Sequence, residues 1–240
     1  MVGIDLSFDK YKLVIREKGR ITEVAEGFAS QLAGFKAKEV YISFTCPKVI
    51  GKLYPNKVKS SELTKEFGVE FVSRFAELKS GKGISYFAGS VEKGTYDSVV
   101  KFIKSLRIAK IKRLNFTPLV FYDVLSFLGV PRKFRDFLAL AFHDEIVFYL
   151  ACKGGQTQLV SGFEFNEWPA LISDVIKTFF EEGLNTIFIS GNYPENAILE
   201  LKALTEDGEV NVFNPFMEFT IGTSRDFKQA SYYAALGVTL

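Results

Sequence analysis

Along residues 11–16 the side chains alternate, with Tyr11, Leu13 and Ile15 against Lys12, Val14 and Arg16. That period of two is what a strand with one wetter face requires. Strands are expected near 2–6, 10–16 and 20–25, joined by residues 7–9 and by a Lys18-Gly19 turn. A second set, near 137–141, 145–152 and 157–163, is apolar throughout, as in a central sheet covered on both faces. Helices follow the strands. Asn166 is the expected N-cap of a helix with Pro169 in its first turn, a stripe of Leu171, Ile172, Val175, Ile176 and Phe179, and a stop at Gly183. Thr117-Pro118 opens another, striped by Phe121, Val124, Leu125 and Leu128 and ended by Gly129; Tyr96, Val99, Val100, Ile103 and Leu106 mark a third. Strands alternating with helices of this length specify an α/β fold with a mixed sheet in each half.

The two sets repeat one pattern. Leu6-Ser7-Phe8, a strand, Gly19, a strand and Gly27-Phe28 are answered by Leu140-Ala141-Phe142, a strand, Gly154-Gly155, a strand and Gly162-Phe163. Ser43, before Pro47, pairs with Ser190, before Pro194, and the stop at Gly129 pairs with Gly237. Duplicated βββαβα halves, 1–130 and 131–240, are therefore expected around a cleft, with Leu6 superposing on Leu140. In that alignment Asp5 faces Ala139, so only one half keeps a carboxylate at the cleft.

The 49–93 stretch has no counterpart in the second half and reads as a small α+β insertion. A helix over 61–78 is expected from Leu63, Phe67, Phe71 and Phe75 at spacings of four, although Gly68 weakens it. A Gly81-Lys82-Gly83 turn and a strand over 84–90 complete the segment. Tyr54, Phe71, Phe75 and Tyr86 form either its own small core or the wall of a peptide groove.

Composition removes several classes of function. A chain of 240 residues, 48% hydrophobic, can bury a sizeable core, and a formal net charge of +2 gives no electrostatic case for nucleic acid. Cys46 and Cys152 lack metal spacing and read as reduced core thiols of a cytoplasmic protein. The first residues run straight into a strand, so no signal peptide is expected, and no apolar run suits a membrane span; an anchor beyond Leu240 is left open. One histidine, His143, argues against His-based catalysis and metal sites, and beside Asp144 and Glu145 it reads as a solvated hairpin tip. The basic run Lys101, Lys104, Arg107, Lys110, Lys112 and Arg113 reads as a solvated helix face or as a surface for an acidic partner or lipid headgroups.

The duplicated halves, the insertion in the first and Gly3-Ile4-Asp5-Leu6 with Lys12 together resemble the actin-like ATPase superfamily. Within it the chain is most similar to the PilM family of type IV pilus machines, then to the GspL cytoplasmic domains of type II secretion. Val212-Phe213-Asn214-Pro215-Phe216 and Ala234-Ala235-Leu236-Gly237-Val238 resemble the closing motifs of that family. The resemblance implies an RNase H-like, actin-like fold and a nucleotide cleft, of which Asp5, Ser7, Lys12 and Gly191 would be vestiges. It also implies a groove beside the insertion that receives the N-terminal tail of a PilN-like membrane protein. Other implied associations are a secretion or assembly ATPase and a homodimer, in the cytoplasm and peripheral to the inner membrane through partner proteins.

The phosphate loops depart from that pattern. The first loop carries Ser7 where the family has glycine, then bulky Phe8 and acidic Asp9; Ala139-Leu140-Ala141-Phe142 replaces the second-half Asp-x-Gly; and Asn192-Tyr193-Pro194 follows Gly191. Phe8 and Tyr193 are expected to crowd the approach. Asp5 itself reads as a vestigial metal or phosphate residue or as a strand-end carboxylate capping its turn. The expected function is a non-catalytic scaffold of a pilus or secretion platform, with no catalytic residue, metal or cofactor. The alternative is a nucleotide-dependent ATPase or switch using ATP and Mg²⁺. A nuclease on the same core would need three or four clustered acids, which Asp5 alone does not supply.

Overall fold

Two antiparallel hairpin stacks of the same geometry organise the protein, described here from a computed structural model that covers residues 1–7, 9–45, 50–80, 83–108, 110–180, 184–205, 208–224 and 226–240. Expectations placed on Phe8, Cys46, Pro47, Gly81, Lys82 and Gly183 lie outside the described residues.

The first stack is β1 (Val2–Ser7), β2 (Lys10–Glu17) and β3 (Arg20–Phe28), extended by β4 (Val40–Phe44). The insertion follows as β5 (Ile50–Tyr54), α1 (Ser60–Phe67), β6 (Phe71–Ser80) and β7 (Gly83–Glu92). The chain then returns through α2 (Lys93–Ser105), β8 (Ile111–Phe116), α3 (Thr117–Phe127) and α4 (Val130–Lys133). The second stack is β9 (Phe137–His143), β10 (Ile146–Lys153) and β11 (Gln156–Glu164). After it come α5 (Trp168–Phe179), β12 (Thr186–Gly191), α6 (Ala197–Leu204), β13 (Glu209–Val212), β14 (Thr220–Ile221) and α7 (Tyr233–Gly237). The sheets run β14-β3-β2-β1-β4-β8 and β11-β10-β9-β12-β13, so their central five strands share one topology, while β5-β7-β6 form a third sheet.

The likeness extends to details. The β2–β3 turn holds Lys18 and Gly19 at φ 46° and 80°, and the β10–β11 turn holds Gly154 and Gly155 at 61° and 76°. Both are two-residue turns with left-handed centres, the form whose twist matches a hairpin. Each stack also has one register shift at the equivalent place, between Ile15 and Arg16 and between Ala151 and Cys152. Counting from these landmarks corrects the alignment expected from sequence. Asp5 lies beside Ser43 and Ala141 beside Ser190, so the counterpart of Asp5 is Ala141 rather than Ala139, that of Leu6 is Phe142, and that of Ser7 is His143.

Two helices bind the sheets together. α3 is apolar around most of its circumference, with Leu119, Val120, Phe121, Tyr122, Val124 and Leu125 fully buried and only Asp123, Ser126 and Phe127 turned toward its open side. Its core is continuous with Ile4 and Ile42 of the first sheet and with Ala139, Ala141 and Phe148 of the second. α7 crosses in the other direction and covers the first sheet, where Ala235 and Leu236 pack with Val14, Ile21 and Val24. Gly3 permits this approach, because a Cβ there would overlap the carbonyl oxygen of Ala235.

The insertion departs from expectation. The helix ends at Phe67, with Gly68 at φ 100°, and Phe71 opens a strand. Cross-strand register then places Tyr54, Phe71, Phe75 and Tyr86 on one face of the third sheet, while Phe87 and Val91 turn from the other face into the main core. All four aromatics are half-buried. α1 is tied to their face through Glu66, which accepts hydrogen bonds from the Tyr54 hydroxyl and from Lys52.

Candidate functional site

The ends of β1, β9 and β12 meet at the mouth of a cavity of about 350 Å³, lined from one side by Asp5, Ser7, Lys12 and Glu26 and from the other by Asp144 and Asn192. Parallel pairing of β1 with β4 puts Ser43 level with Asp5, and Ser43 Oγ donates to Asp5 Oδ1 at 2.7 Å. Thr117, at the start of α3, donates to the same oxygen at 3.4 Å. The other carboxylate oxygen lies 3.1 Å from Nε2 of His143. Both side chains are 2% exposed or less.

This overturns two expectations. His143 is not a solvated tip, because it is the last residue of β9 rather than part of the Asp144-Glu145 turn, and its ring packs against Tyr233 at 5.8 Å and Phe148 at 6.3 Å. Asp5 does not cap the β1–β2 turn; its acceptors are used by Ser43, Thr117 and His143. Burial is the largest single influence on its pKa and acts to raise it. The charge of His143, hydrogen bonding from His143 and Ser43, and the charge of Lys12 together outweigh that, and the carboxyl is held below its ordinary value. Tyr233 is pushed the other way by its burial and by the Asp5 and Asp144 charges, so its phenol stays neutral.

The structure brings all four sequence-expected nucleotide vestiges to this region. Asp5, Ser7 and Lys12 line the cavity, and Lys12 also stands 5.9 Å over the ring of Tyr232. Gly191, at φ 90°, closes β12 so tightly against β9 that a Cβ would overlap the Phe142 carbonyl. Tyr193 does not crowd the opening: it packs on Phe142 at 6.3 Å, with Lys228 4.6 Å above its ring. His143, Ser43 and Thr117 were missed from sequence. Counting back from the two hairpin turns, which puts His143 at the level of Ser7, was the signal that could have found the first.

A hydrated Mg²⁺ with a polyphosphate does not fit these residues. The position opposite Asp5 is an alanine, and the Asp5 carboxylate is occupied by an imidazole. The cavity sets Asp5, Glu26 and Asp144 against only Lys10 and Lys12. Among the described residues no cluster of three or more His, Cys, Asp or Glu is arranged to hold a metal ion. The partner-binding candidates Tyr54, Phe71, Phe75 and Tyr86 are brought together, but on the insertion and away from this cleft.

No family model and no curated protein matches the chain. Solved structures do. A chain of a PilM-PilN type IV pilus biogenesis complex superposes with a TM-score of 0.75 at 13% identity, over 99% of this chain and 96% of that one. A Bacteroides thetaiotaomicron protein with an actin-like ATPase fold gives 0.64 at 15% identity, over 89% and 90%. The cytoplasmic domain of EpsL, an inner membrane component of the Vibrio cholerae type II secretion system, gives 0.59 at 11% identity, over 99% and 93%. At these identities the fold is what is shared, and the chain carries the actin-like ATPase fold.

Proposed function

We propose that this protein is a non-catalytic actin-like scaffold, part of the inner-membrane platform of a type IV pilus or type II secretion system, which holds the cytoplasmic tail of a membrane-anchored partner. The observation that carries the reading is the buried 3.1 Å contact between Asp5 and His143. The resemblance to actin-like ATPases implies a nucleotide in the cleft, joining the two halves. Here a carboxylate of one sheet and an imidazole of the other make that connection with protein groups alone, and Ala141 stands where a second acid would be needed. The likeness to a chain of the PilM-PilN complex and to the EpsL cytoplasmic domain supports the choice of machine. Among the described residues no helix is long and apolar enough to cross a membrane, which accords with attachment through a partner. The tail's place is the aromatic face of the third sheet, where Phe71, Phe75 and Tyr86 offer half-buried rings beside strand edges suited to an extended peptide.

Calorimetry with Mg-ATP tests the reading. No heat of binding and no hydrolysis are expected. Micromolar binding, or a hydrolysis rate abolished by Asp5→Ala, overturns it in favour of a nucleotide-dependent switch. One feature favours that second reading: the cleft keeps a cavity of about 350 Å³ with Lys12 and Asn192 on its walls.

A further inference from the structure

We propose that the corner built by the end of α2 and the 34–38 loop docks directly onto an anionic lipid surface. Two backbone hydrogen bonds fix this corner. Gly34 N–H donates to Leu106 O at 2.8 Å, and Val40 N–H donates to Lys110 O at 3.2 Å, so the loop carrying Lys36 and Lys38 is held to Leu106 at one end and Lys110 at the other. Lys101 and Lys104 project from the last turns of α2, and Arg107 and Lys110 follow. None of these six forms an ion pair with a described residue, whereas the neighbouring Lys112 and Arg113 are engaged by Glu39 at 3.9 Å and Asp123 at 2.6 Å. Six positive charges without an ion-pair partner among the described residues, on a chain with a formal net charge of +2, leave the rest of the chain net negative, so the protein presents this corner to an anionic plane.

The backbone adds an independent observation. Arg107 and Lys110 sit at φ 53° and 58°, the left-handed region where glycine is the residue of least strain. Arg107 occupies the position just past the α2 C-cap, where glycine would end the helix most easily. Basic side chains are held there against that preference, and such outliers concentrate at working surfaces.

Aromatic exposure selects lipid over an acidic protein. Phe28 is 58% exposed and Phe102 is 37% exposed. Together they flank a shallow hollow of about 300 Å³ with Asp9, Ala29 and Ser30. Phe102 shares the last turns of α2 with Lys101 and Lys104, an arrangement that matches an interface where rings enter the headgroup layer and ammonium groups meet phosphates. The nearby acids are fewer than the six cations: Glu17 and Glu39 share a hollow with Lys36 and Lys38, Glu39 being also engaged by Lys112 and the Tyr41 hydroxyl, while Asp9 lies in the aromatic hollow and Asp97 one turn before Lys101. The inference goes beyond the scaffold reading and does not depend on it, since a nucleotide-binding protein could carry the same surface.

Flotation with vesicles of phosphatidylglycerol and phosphatidylcholine in equal parts, against phosphatidylcholine alone, tests it. Binding to the anionic vesicles only is expected, lost as salt is raised. Lys101→Glu with Lys104→Glu should weaken it at least about tenfold, each charge contributing roughly fivefold near such a surface, with the melting temperature unchanged. Arg107→Gly with Lys110→Gly should hold or raise stability while lowering vesicle binding, which separates lost docking from misfolding. Equal binding to neutral vesicles overturns the proposal, as does indifference to the charge reversals. Capture of a poly-glutamate peptide without vesicle binding also overturns it, in favour of an acidic protein partner.

Discussion

Asp5 and His143 stand 3.1 Å apart at the ends of two strands that belong to different sheets, both sealed from solvent. Removing His143 leaves the buried Asp5 carboxylate with the Ser43 and Thr117 hydroxyls and the charge of Lys12 but without the group against its second oxygen. His143→Ala is therefore expected to cost roughly 3–5 kcal/mol in urea denaturation, and Asp5→Leu with His143→Phe to recover a large part of that loss. A double variant whose loss equals the sum of the Asp5→Leu and His143→Phe losses measured singly would show that the pair contributes no coupling.

Acid should find the same pair. The folded pKa of Asp5 lies below its unfolded value of about 3.9, so its contribution is complete above that pH and is lost as pH falls further toward the folded pKa. Stability of the wild type should fall from about pH 4 downward, and Asp5→Asn should flatten that slope. Denaturation midpoints measured across this range provide the check.

Gly191 and Gly19 share positive φ, at 90° and 80°, but only Gly191 is packed against backbone, while nothing lies within 4 Å of a Cβ at Gly19. Gly19→Ala should cost about 1 kcal/mol, the conformational strain alone. Gly191→Ala adds the collision with Phe142 and should cost at least ~2 kcal/mol more by thermal denaturation. Similar costs at both sites would mean that β9 and β12 can separate freely.

Phe75→Ala and Tyr86→Ala should weaken binding of a partner tail more than they lower the melting temperature, because both rings are only half-buried. Titration of a synthetic tail peptide beside a melting curve decides this. Variants that merely unfold, or binding that survives both changes, would place the tail elsewhere.

Cys152 is buried and free, and burial, helped by the Asp136 charge, pushes its thiol up to about 12. In a Cys46→Ser background, a thiol reagent near neutral pH should label the protein only once it is unfolded. Rapid labelling of the native form would mean that β10 opens far more readily than its burial implies.

The hairpins were legible because turns and alternation mark them unambiguously, and so were α3 and the stop at Gly129. The two-residue misalignment of β9 was not. A strand repeats every two residues, so sliding the match from Ala139 to Ala141 leaves every side chain on the same face, and only the turn positions settle it. Phe71 and Phe75 failed for a related reason: a spacing of four fits one face of a helix and one face of a strand alike. Gly68 decided between them by ending the helix. His143 was hidden for a different reason. Its partner lies 138 positions earlier in the chain, across a contact made only when the two sheets meet.

Gly3 has a consequence for the order of assembly. The residue against which it packs, Ala235, belongs to the short helix α7, while the strand carrying Gly3 begins at Val2. During synthesis the first sheet is made early, yet one of its faces stays bare until Tyr233–Gly237 leaves the ribosome. Contacts so distant in the chain are slow to form and leave apolar strands exposed to aggregation in the interval. The face of β1–β3 that Ala235 and Leu236 cover should then stay open until α7 has been made and docks on Gly3.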